Sequence, residues 1–442
     1  MNDLATPAAR PAYQSFWMPF TSNVAFKKNP RLFESAKGMY YRTVDGQEVL
    51  DGTAGLWCVN AGHGRERIAD AVSAQMRKLD YASSFQLGHP LAFECADRIT
   101  ALAPRDLDYV FFGNSGSEAV DSALKIALAY HHANGNASRV RLVGRERSYH
   151  GVGFGGVSVG GISKHRAPYG NLLPYVDHMP ATHDLSRQAY SRGEPEHGAH
   201  FADELLRIIN IHDASTIAAV IVEPVAGSTG VLPPPKGYLA RLREICDRHG
   251  ILLIFDEVIT GFGRLGASFA AEKWGVLPDI LTCAKGLTNG AIPMGATLVR
   301  GHVYDTVTRA GTGGPELPHG YTYSGHPVAC AAALATLDIY RDEKLFERAA
   351  DLAPYWENAL HALKGLPHIV DIRNSGLLAA IEFEPVPGKA GFHAQALHRA
   401  CLAKGVLVRG VGESLVASPP LIIERPEIDR LWGTVADCLR AM

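Results

Sequence analysis

Four short stretches of this chain carry side chains able to do chemistry, and each follows an apolar run. Asn114-Ser115-Gly116-Ser117-Glu118 comes directly after YVFFG (109–113) and opens a helical pattern. Backbone N–H groups, two hydroxyls and the positive end of a helix dipole make a natural phosphate site. Taken alone, the same stretch reads as a plain serine N-cap with an acidic first turn. Asp256, in Asp256-Glu257-Val258 after ILLIF (251–255), is a carboxylate in an apolar setting and needs a cation beside it. A protonated pyridine nitrogen would serve, and so would an ordinary structural ion pair or a helix N-cap. Lys285 lies between an apolar strand and a glycine turn, where a depressed pKa suits an amine to Schiff-base formation. Isolated lysines near turns are nearly always just solvated. Tyr149, in Tyr149-His150-Gly151, offers an aromatic plane, and β-branched Val258 offers a second flat surface. By itself Tyr149 reads equally well as core.

Each stretch is weak evidence. Together they supply a phosphate cradle, a ring sandwich, a carboxylate for a ring nitrogen and an amine for an aldehyde. Those are the requirements of pyridoxal 5′-phosphate (PLP).

Two further motifs overlap and are read as decoys. Gly151-Val-Gly153-Phe-Gly155-Gly156 fits a dinucleotide fingerprint, and Gly156-Val-Ser158-Val-Gly160 fits a nucleophile elbow. Both motifs need a helix opening in this stretch. The chain continues VSVGGISKHRAPYG, with no helical periodicity, so a glycine-rich loop folded over a ligand or subunit contact is expected instead. His131-His132 sits near a helix end, where an exposed or capping role is expected over metal ligation. No His/Cys/Glu cluster has metal-ligand spacing, and no metal site is expected.

The elements that must position these residues alternate along the chain. Strands are expected at 109–113, 139–143, 217–222, 251–255, 279–283 and 295–299, with an amphipathic helix over 236–249 closed by Gly250. Near-continuous apolar strands separated by helices predict a mostly parallel sheet covered on both faces. Ligands in such sheets bind beyond the carboxyl ends of the strands, where all four stretches lie. Asp45-Gly46 predicts the turn of a hairpin, and a long Ala-rich helix is expected after Pro327, followed by a helix over 346–364. Short strands including 377–383 and 405–409, with two helices, make a smaller α+β unit at the C-terminal end. The expected division is an N-terminal segment 1–65 that contributes to the small domain and the active-site wall, a large domain 66–330, and a linking helix with the small domain over 331–442.

Composition bounds the rest. At 442 residues the chain exceeds one compact domain. Lys+Arg 43 against Asp+Glu 45 leaves no basic field for nucleic acid or an anionic membrane. No apolar run approaches the roughly 20 residues a membrane span needs. Met1 to Pro11 lacks the layout of a secretory signal. Seven scattered Cys without a CxxC fit buried thiols in a reducing cytosol, so a cytoplasmic protein is expected.

At this point the chain resembles class III pyridoxal-phosphate aminotransferases. The motifs are Asn114-Ser115-Gly116-Ser117-Glu118-Ala119, Tyr149-His150-Gly151, Glu223-Pro224, Asp256-Glu257-Val258 with Gly261-Phe262-Gly263-Arg264, Lys285-Gly286, and Thr322-Tyr323-Ser324-Gly325-His326-Pro327. FWMPFT (16–21), LDGTAGLWCVNAGHGR (50–65) and GRERSYHGVGFGGVSVGGI (144–162) are similar to the β-alanine:pyruvate, or ω-amino acid, subgroup. Gly113 stands where Thr is more usual and His326 where Asn is common. The resemblance implies fold type I, a homodimer with interfacial active sites, and amino transfer from an ω-amino acid or amine to a 2-oxo acid. Whether two dimers assemble further stays open. It implies that Lys285 carries the cofactor and shuttles the proton, and that Asp256 keeps the pyridine nitrogen protonated. Ser115, Gly116 and Ser117 would hold the phosphate, with Thr322 from the neighbouring subunit. Tyr149 and Val258 would sandwich the ring, with His150 beside Tyr149 in the cofactor site, and Glu223 would order the region near the ring hydroxyl. Arg409 matches the position that binds substrate carboxylate, where Gly405, Gly410 and Gly412 let it swing aside. Trp57, Phe85 and Phe20 would wall the pocket.

Overall fold

The computed structural model describes residues 13–311 and 313–442, so Met1 to Pro11 lies outside the described residues. Fifteen strands occur among them: β1 (Phe33–Lys37), β2 (Tyr40–Thr43), β3 (Glu48–Asp51), β4 (Tyr109–Gly113), β5 (Arg141–Arg145), β6 (Val176–Met179), β7 (Ile217–Val222), β8 (Leu252–Asp256), β9 (Ile280–Cys283), β10 (Gly295–Val299), β11 (Ile369–Ser375), β12 (Leu378–Phe383), β13 (Val406–Leu407), β14 (Arg409–Val411) and β15 (Ser414–Ala417). They build three sheets. The largest has seven strands in the order β4-β10-β9-β8-β7-β5-β6. β10 runs antiparallel to β4 and β9, and the remaining pairs are parallel. Every residue of β7 and of β8 is buried, as apolar runs covered on both faces require. The sheet is the mostly parallel, doubly wound one expected.

The strand order places the site. From β5 the chain moves outward to β6, then returns to the other side of β5 to lay down β7, β8 and β9. The order therefore reverses between β5 and β7, which is where open α/β sheets form their ligand crevice. Asp256 ends β8 on that edge, and the loops leaving β5, β7 and β9 there carry Tyr149, Glu223 and Lys285.

The two smaller sheets bind the chain ends together. β1, β2 and β3 form an antiparallel meander, with Gly46 at φ 89° in the expected hairpin turn. β13 joins it in parallel, pairing Val406 with Leu50. β11, β12, β15 and β14 form the third sheet. The strand expected over 405–409 is thus divided: β13 belongs to one sheet and β14 to another. The helix Tyr238–His249 ends on Gly250 in the left-handed conformation, as expected. The helices Pro327–Asp342 and Leu345–His361 also form where expected. β6 (VDHM) escaped sequence reading because its edge position demands no apolar run.

Two expectations are corrected. The glycine-rich stretch does contain a helix, Phe154–Val159, opening after Gly153. Tertiary contacts override its poor propensity: Gly155 to Val159 are all buried, and Asp121 Oδ1 accepts from the Gly156 N–H at 2.9 Å. Both decoy motifs still fail. Ser158 Oγ donates to the Phe154 carbonyl at 2.6 Å and accepts from Leu173 N at 2.9 Å, so it is committed to structure. The glycines serve close packing instead, because a Cβ at Gly156 would meet the His150 carbonyl at 2.1 Å. Of the pair His131-His132, His132 is exposed as expected, whereas His131 is neither exposed nor a cap. It is buried, and its Nε2 meets the Ala218 carbonyl of β7 at 2.9 Å.

Gly156→Ala should therefore lower the thermal midpoint, by about 1–3 kcal/mol of stability or more, because backbone must move. Gly433→Ala, in the exterior helix Arg425–Arg440 with open space around it, should be neutral or stabilising by about 0.5–1 kcal/mol. Thermal melts of the two variants beside the parent check the contrast.

Candidate active site

The helix Gly116–Ala133 begins three residues after β4 ends, so its first turn points at the crevice. Ser115 is the N-cap, its Oγ accepting from Glu118 N at 3.2 Å. Ser117 Oγ accepts from Val152 N at 3.0 Å. Both hydroxyls use an oxygen lone pair within the protein and keep a proton to donate. Glu118 Oε2 accepts from Asn114 N at 2.6 Å and from its Nδ2 at 2.9 Å, fixing the turn. Gly116 is required by proximity: an added Cβ would lie 2.9 Å from Val258 Cγ1.

Asp256 ends β8 at 5% exposure, so its charge must be satisfied locally. Its Oδ2 lies 2.8 Å from Nδ1 of buried His150. Oδ1 accepts from Val258 N at 3.1 Å and from Thr282 Oγ1 at 3.3 Å. The other ring nitrogen of His150, Nε2, is buried without a partner. Glu223, just past β7, accepts from Tyr149 N at 2.9 Å and Gly227 N at 3.1 Å, tying the β5 and β7 loops together. Burial pushes Glu223 up to about 7, with Asp256 adding to the rise and His150 opposing it. Lys285 follows β9 with φ 43°, a left-handed conformation uncommon for a side-chain-bearing residue. Burial lowers its amine pKa, and the charge of Asp256 holds it back up. A half-buried amine and a buried carboxylate lining one crevice mark a candidate functional site.

Two cavities meet here. The inner, of about 280 Å³, is lined by Ser115, Gly116, Ser117, Tyr149, His150, Glu223, Asp256, Val258 and Lys285. The outer, of about 710 Å³, is lined by Phe20, Trp57 and Arg409 among others, and Tyr149 and Lys285 border both. Arg409 begins β14, its guanidinium carbon 5.3 Å from the centre of the Trp57 ring. Phe85 and Thr322 border neither cavity. Both are exposed, Phe85 beside Gly320, and the Thr322 carbonyl accepts from Tyr81 Oη at 2.9 Å. His326, the other departure, caps the helix Pro327–Asp342 through Nδ1, accepting from Val328 N at 3.2 Å as an asparagine would. Sequence reading missed Arg147 and Glu382, which also line the outer cavity. Arg147 stood inside a motif read for Tyr149, and Glu382 interrupts an apolar strand, a signal that was there to use.

The doubly wound sheet thus gathers the first turn of a helix, a buried acid and a half-buried amine around one crevice. The chain belongs to the class-III aminotransferases: the model of that family, Aminotransferase class-III, matches residues 21–439. It is similar to an omega-aminotransferase from Caulobacter vibrioides, at 58% identity covering 95% of this chain and 96% of that one. It is similar to a beta-alanine–pyruvate aminotransferase from Pseudomonas aeruginosa, at 46% identity covering 97% and 96%. Among solved structures, an amine transaminase from an uncultivated Pseudomonas species, in its PLP-bound form, superposes with a TM-score of 0.89 at 37% identity, covering 98% and 99%. The fold expected from the resemblance is the one observed, and the protein is an aminotransferase.

The raised Glu223 pKa makes a prediction about pH. The folded chain holds this proton more tightly than the unfolded one, so its stabilisation is complete below about pH 4.5 and lost as pH rises through about 7. The loss is on the order of 3 kcal/mol. In Glu223→Gln the fall in thermal midpoint between pH 5 and 7.5 should be shallower, whatever the variant's overall offset. Glu257, raised to about 7 by burial, titrates in both proteins and leaves the difference intact.

Proposed function

We propose that this aminotransferase holds PLP in the inner cavity and moves an amino group from an ω-amino acid, β-alanine foremost, or a primary amine to pyruvate. The products are alanine and the matching oxo compound, malonate semialdehyde from β-alanine, by a ping-pong route. The observation that carries the reading is the position of Lys285 at the junction of the two cavities. An anion cradle and a buried carboxylate lie on one side of it, and a guanidinium lies on the other.

The residues present fit the cofactor. The cradle offers first-turn N–H groups and two hydroxyls with protons to spare, which suits a phosphate. Asp256 is buried and in need of a cation, which suits a protonated ring nitrogen. When bound, PLP supplies an electron sink that stabilises negative charge on the carbon beside the donor nitrogen.

The chain does the rest. Ser115, Gly116 and Ser117 anchor the phosphate. Asp256 keeps the ring nitrogen charged, and His150, 2.8 Å away, holds that carboxylate in orientation. Tyr149 and Val258 line the cavity and would wall the ring, and Glu223, which fixes the Tyr149 backbone, would order the region near the ring hydroxyl. Lys285 Nζ would hold the cofactor covalently and, as a free amine, would take and return the proton at the donor carbon. Its depressed pKa leaves more free amine for that task at neutral pH. Arg409 binds the carboxylate of β-alanine or pyruvate through a bidentate contact. For donors without a carboxylate it moves aside on the flexible flank of Gly410 and Gly412, and Gly405 lies just upstream. Trp57 and Phe20 wall the outer cavity. Thr322 and Phe85, exposed on this chain, complete the site of a second copy in a homodimer. Residues 13–65 contribute to the small domain, which the chain after the linking helix of 331–442 completes beside the large domain 66–330, a division the shared sheet β1-β2-β3-β13 supports. No helix among the described residues is long and apolar enough to cross a membrane, and seven free thiols favour the cytoplasm.

The visible absorbance of the purified protein tests the reading. The band of bound cofactor should fade with β-alanine, return with pyruvate, and leave alanine equimolar with β-alanine consumed. A band that β-alanine leaves untouched would remove that donor, and a colourless protein that takes up no PLP would remove the whole reading. Arg409→Ala should raise KM for pyruvate about 10–100-fold, the worth of a charge-assisted pair. The half-reaction with a carboxylate-free amine should change little, which stopped-flow absorbance reads directly.

A further inference from the structure

Among the described residues, two groups of histidine and carboxylate side chains bring ligand atoms within 4.8 Å of one another. In the first, His183, Asp371 and Glu382, the cation is already present. Nη1 of buried Arg373 lies 2.5 Å from both Asp371 Oδ2 and Glu382 Oε2. The second, His368, Glu384 and His393, is built differently. Neither cavity of the active site includes any of its members.

Its geometry comes from three element ends. His368 precedes β11 and Glu384 follows β12, and their backbones are joined by Glu384 N donating to the His368 carbonyl at 2.9 Å. His393 is the second residue of the helix Phe392–Ala403 and only 6% exposed. The His368 and His393 rings stack with centroids 4.2 Å apart. His368 Nδ1 meets Glu384 Oε1 at 2.5 Å. Nδ1 of His393 is buried and has no hydrogen-bond partner. Leaving a buried polar nitrogen unsatisfied is costly and calls for an explanation. Neutral imidazole is the form that ligates metals.

We propose that His368, Glu384 and His393 form a binding site for one divalent transition-metal ion of the zinc type, separate from the catalytic centre. Two imidazoles and one carboxylate with room for water is a zinc-type donor set, whereas calcium and magnesium take oxygen ligands. Ligand atoms around tetrahedral zinc sit roughly 3.3 Å apart, given bonds of about 2.0–2.1 Å. Donors within 4.8 Å reach that spacing by side-chain rotation alone. Partly exposed His368 and Glu384 are free to make it, exchanging their mutual hydrogen bond for bonds to the ion. His393 lies at the positive end of its helix, so the negative charge of Glu384 is essential to hold a cation there. The bound ion would tie the start of β11 and the end of β12 to a helix that packs on β14, the strand carrying Arg409.

Calorimetric titration of tag-free, chelator-treated holoenzyme with Zn²⁺ tests this. The expected result is one ion per chain with a dissociation constant in the micromolar range or below, and a thermal midpoint that rises with Zn²⁺. His368→Asn and Glu384→Gln should each weaken binding at least tenfold and remove the Zn²⁺-dependent rise. Their melting points in chelator should stay near the parent's, because both side chains are partly exposed. Absence of stoichiometric binding in the parent would overturn the proposal. So would binding that both substitutions leave unchanged, which would place the ion at other ligands.

Discussion

The carboxylate of Asp256 sits at the end of an all-buried strand, and the site is arranged around satisfying it. Charge removed from water must meet hydrogen bonds and a cation in the same place. Here the Val258 N–H, the Thr282 hydroxyl and the His150 imidazole provide the first, and the crevice leaves room for the second. Each of those partners fixes a different loop: the one after β5 through His150, the one after β8 through Val258, and β9 itself through Thr282. Lys285 follows β9 by two residues, so the same constraint sets where the amine stands. Glu223 extends the network to β7 by holding the Tyr149 and Gly227 backbones.

Glycine makes the approach possible. The helix Phe154–Val159 lies so close to the β5 loop that a methyl group at Gly156 would overlap the His150 carbonyl. Gly116 lets the turn after β4 reach Val258 in the same way. These positions serve the site through packing density rather than flexibility, since side chains there would push apart the groups that meet Asp256. The smaller sheets supply the other half of the pocket. Pairing of β13 with β3 and of β14 with β15 brings Trp57 and Arg409 to face each other across the outer cavity. Lys285 thus borders both chambers, the inner lined by Ser115, Ser117 and Asp256 and the outer by Trp57 and Arg409.

Much of this was legible in residue order, because local rules govern it. Apolar runs of five or six residues with turn residues behind them marked β4, β7, β8, β9 and β10. The chemistry-bearing residues followed directly, since in a parallel sheet a strand's carboxyl end is also its place in sequence. Ser115, Asp256 and Lys285 needed no long-range information to be singled out. The glycine stretch and His131 were misread for the converse reason. Helix formation at Phe154–Val159 depends on Asp121, more than thirty residues earlier, and burial of His131 depends on a carbonyl of β7.

The amino-acid sequence by itself determined the doubly wound sheet and which hydroxyl, carboxylate and amine side chains stand at its shared edge, because each rests on short-range periodicity and on side-chain chemistry. Only the tertiary structure decided that His150 backs Asp256, that Arg373 fills one charged cluster while His368, Glu384 and His393 gather without a cation, and that Phe85 and Thr322 lie outside this chain's cavities. Those outcomes depend on distances between segments tens to hundreds of residues apart, and burial energies that no local pattern encodes select among them.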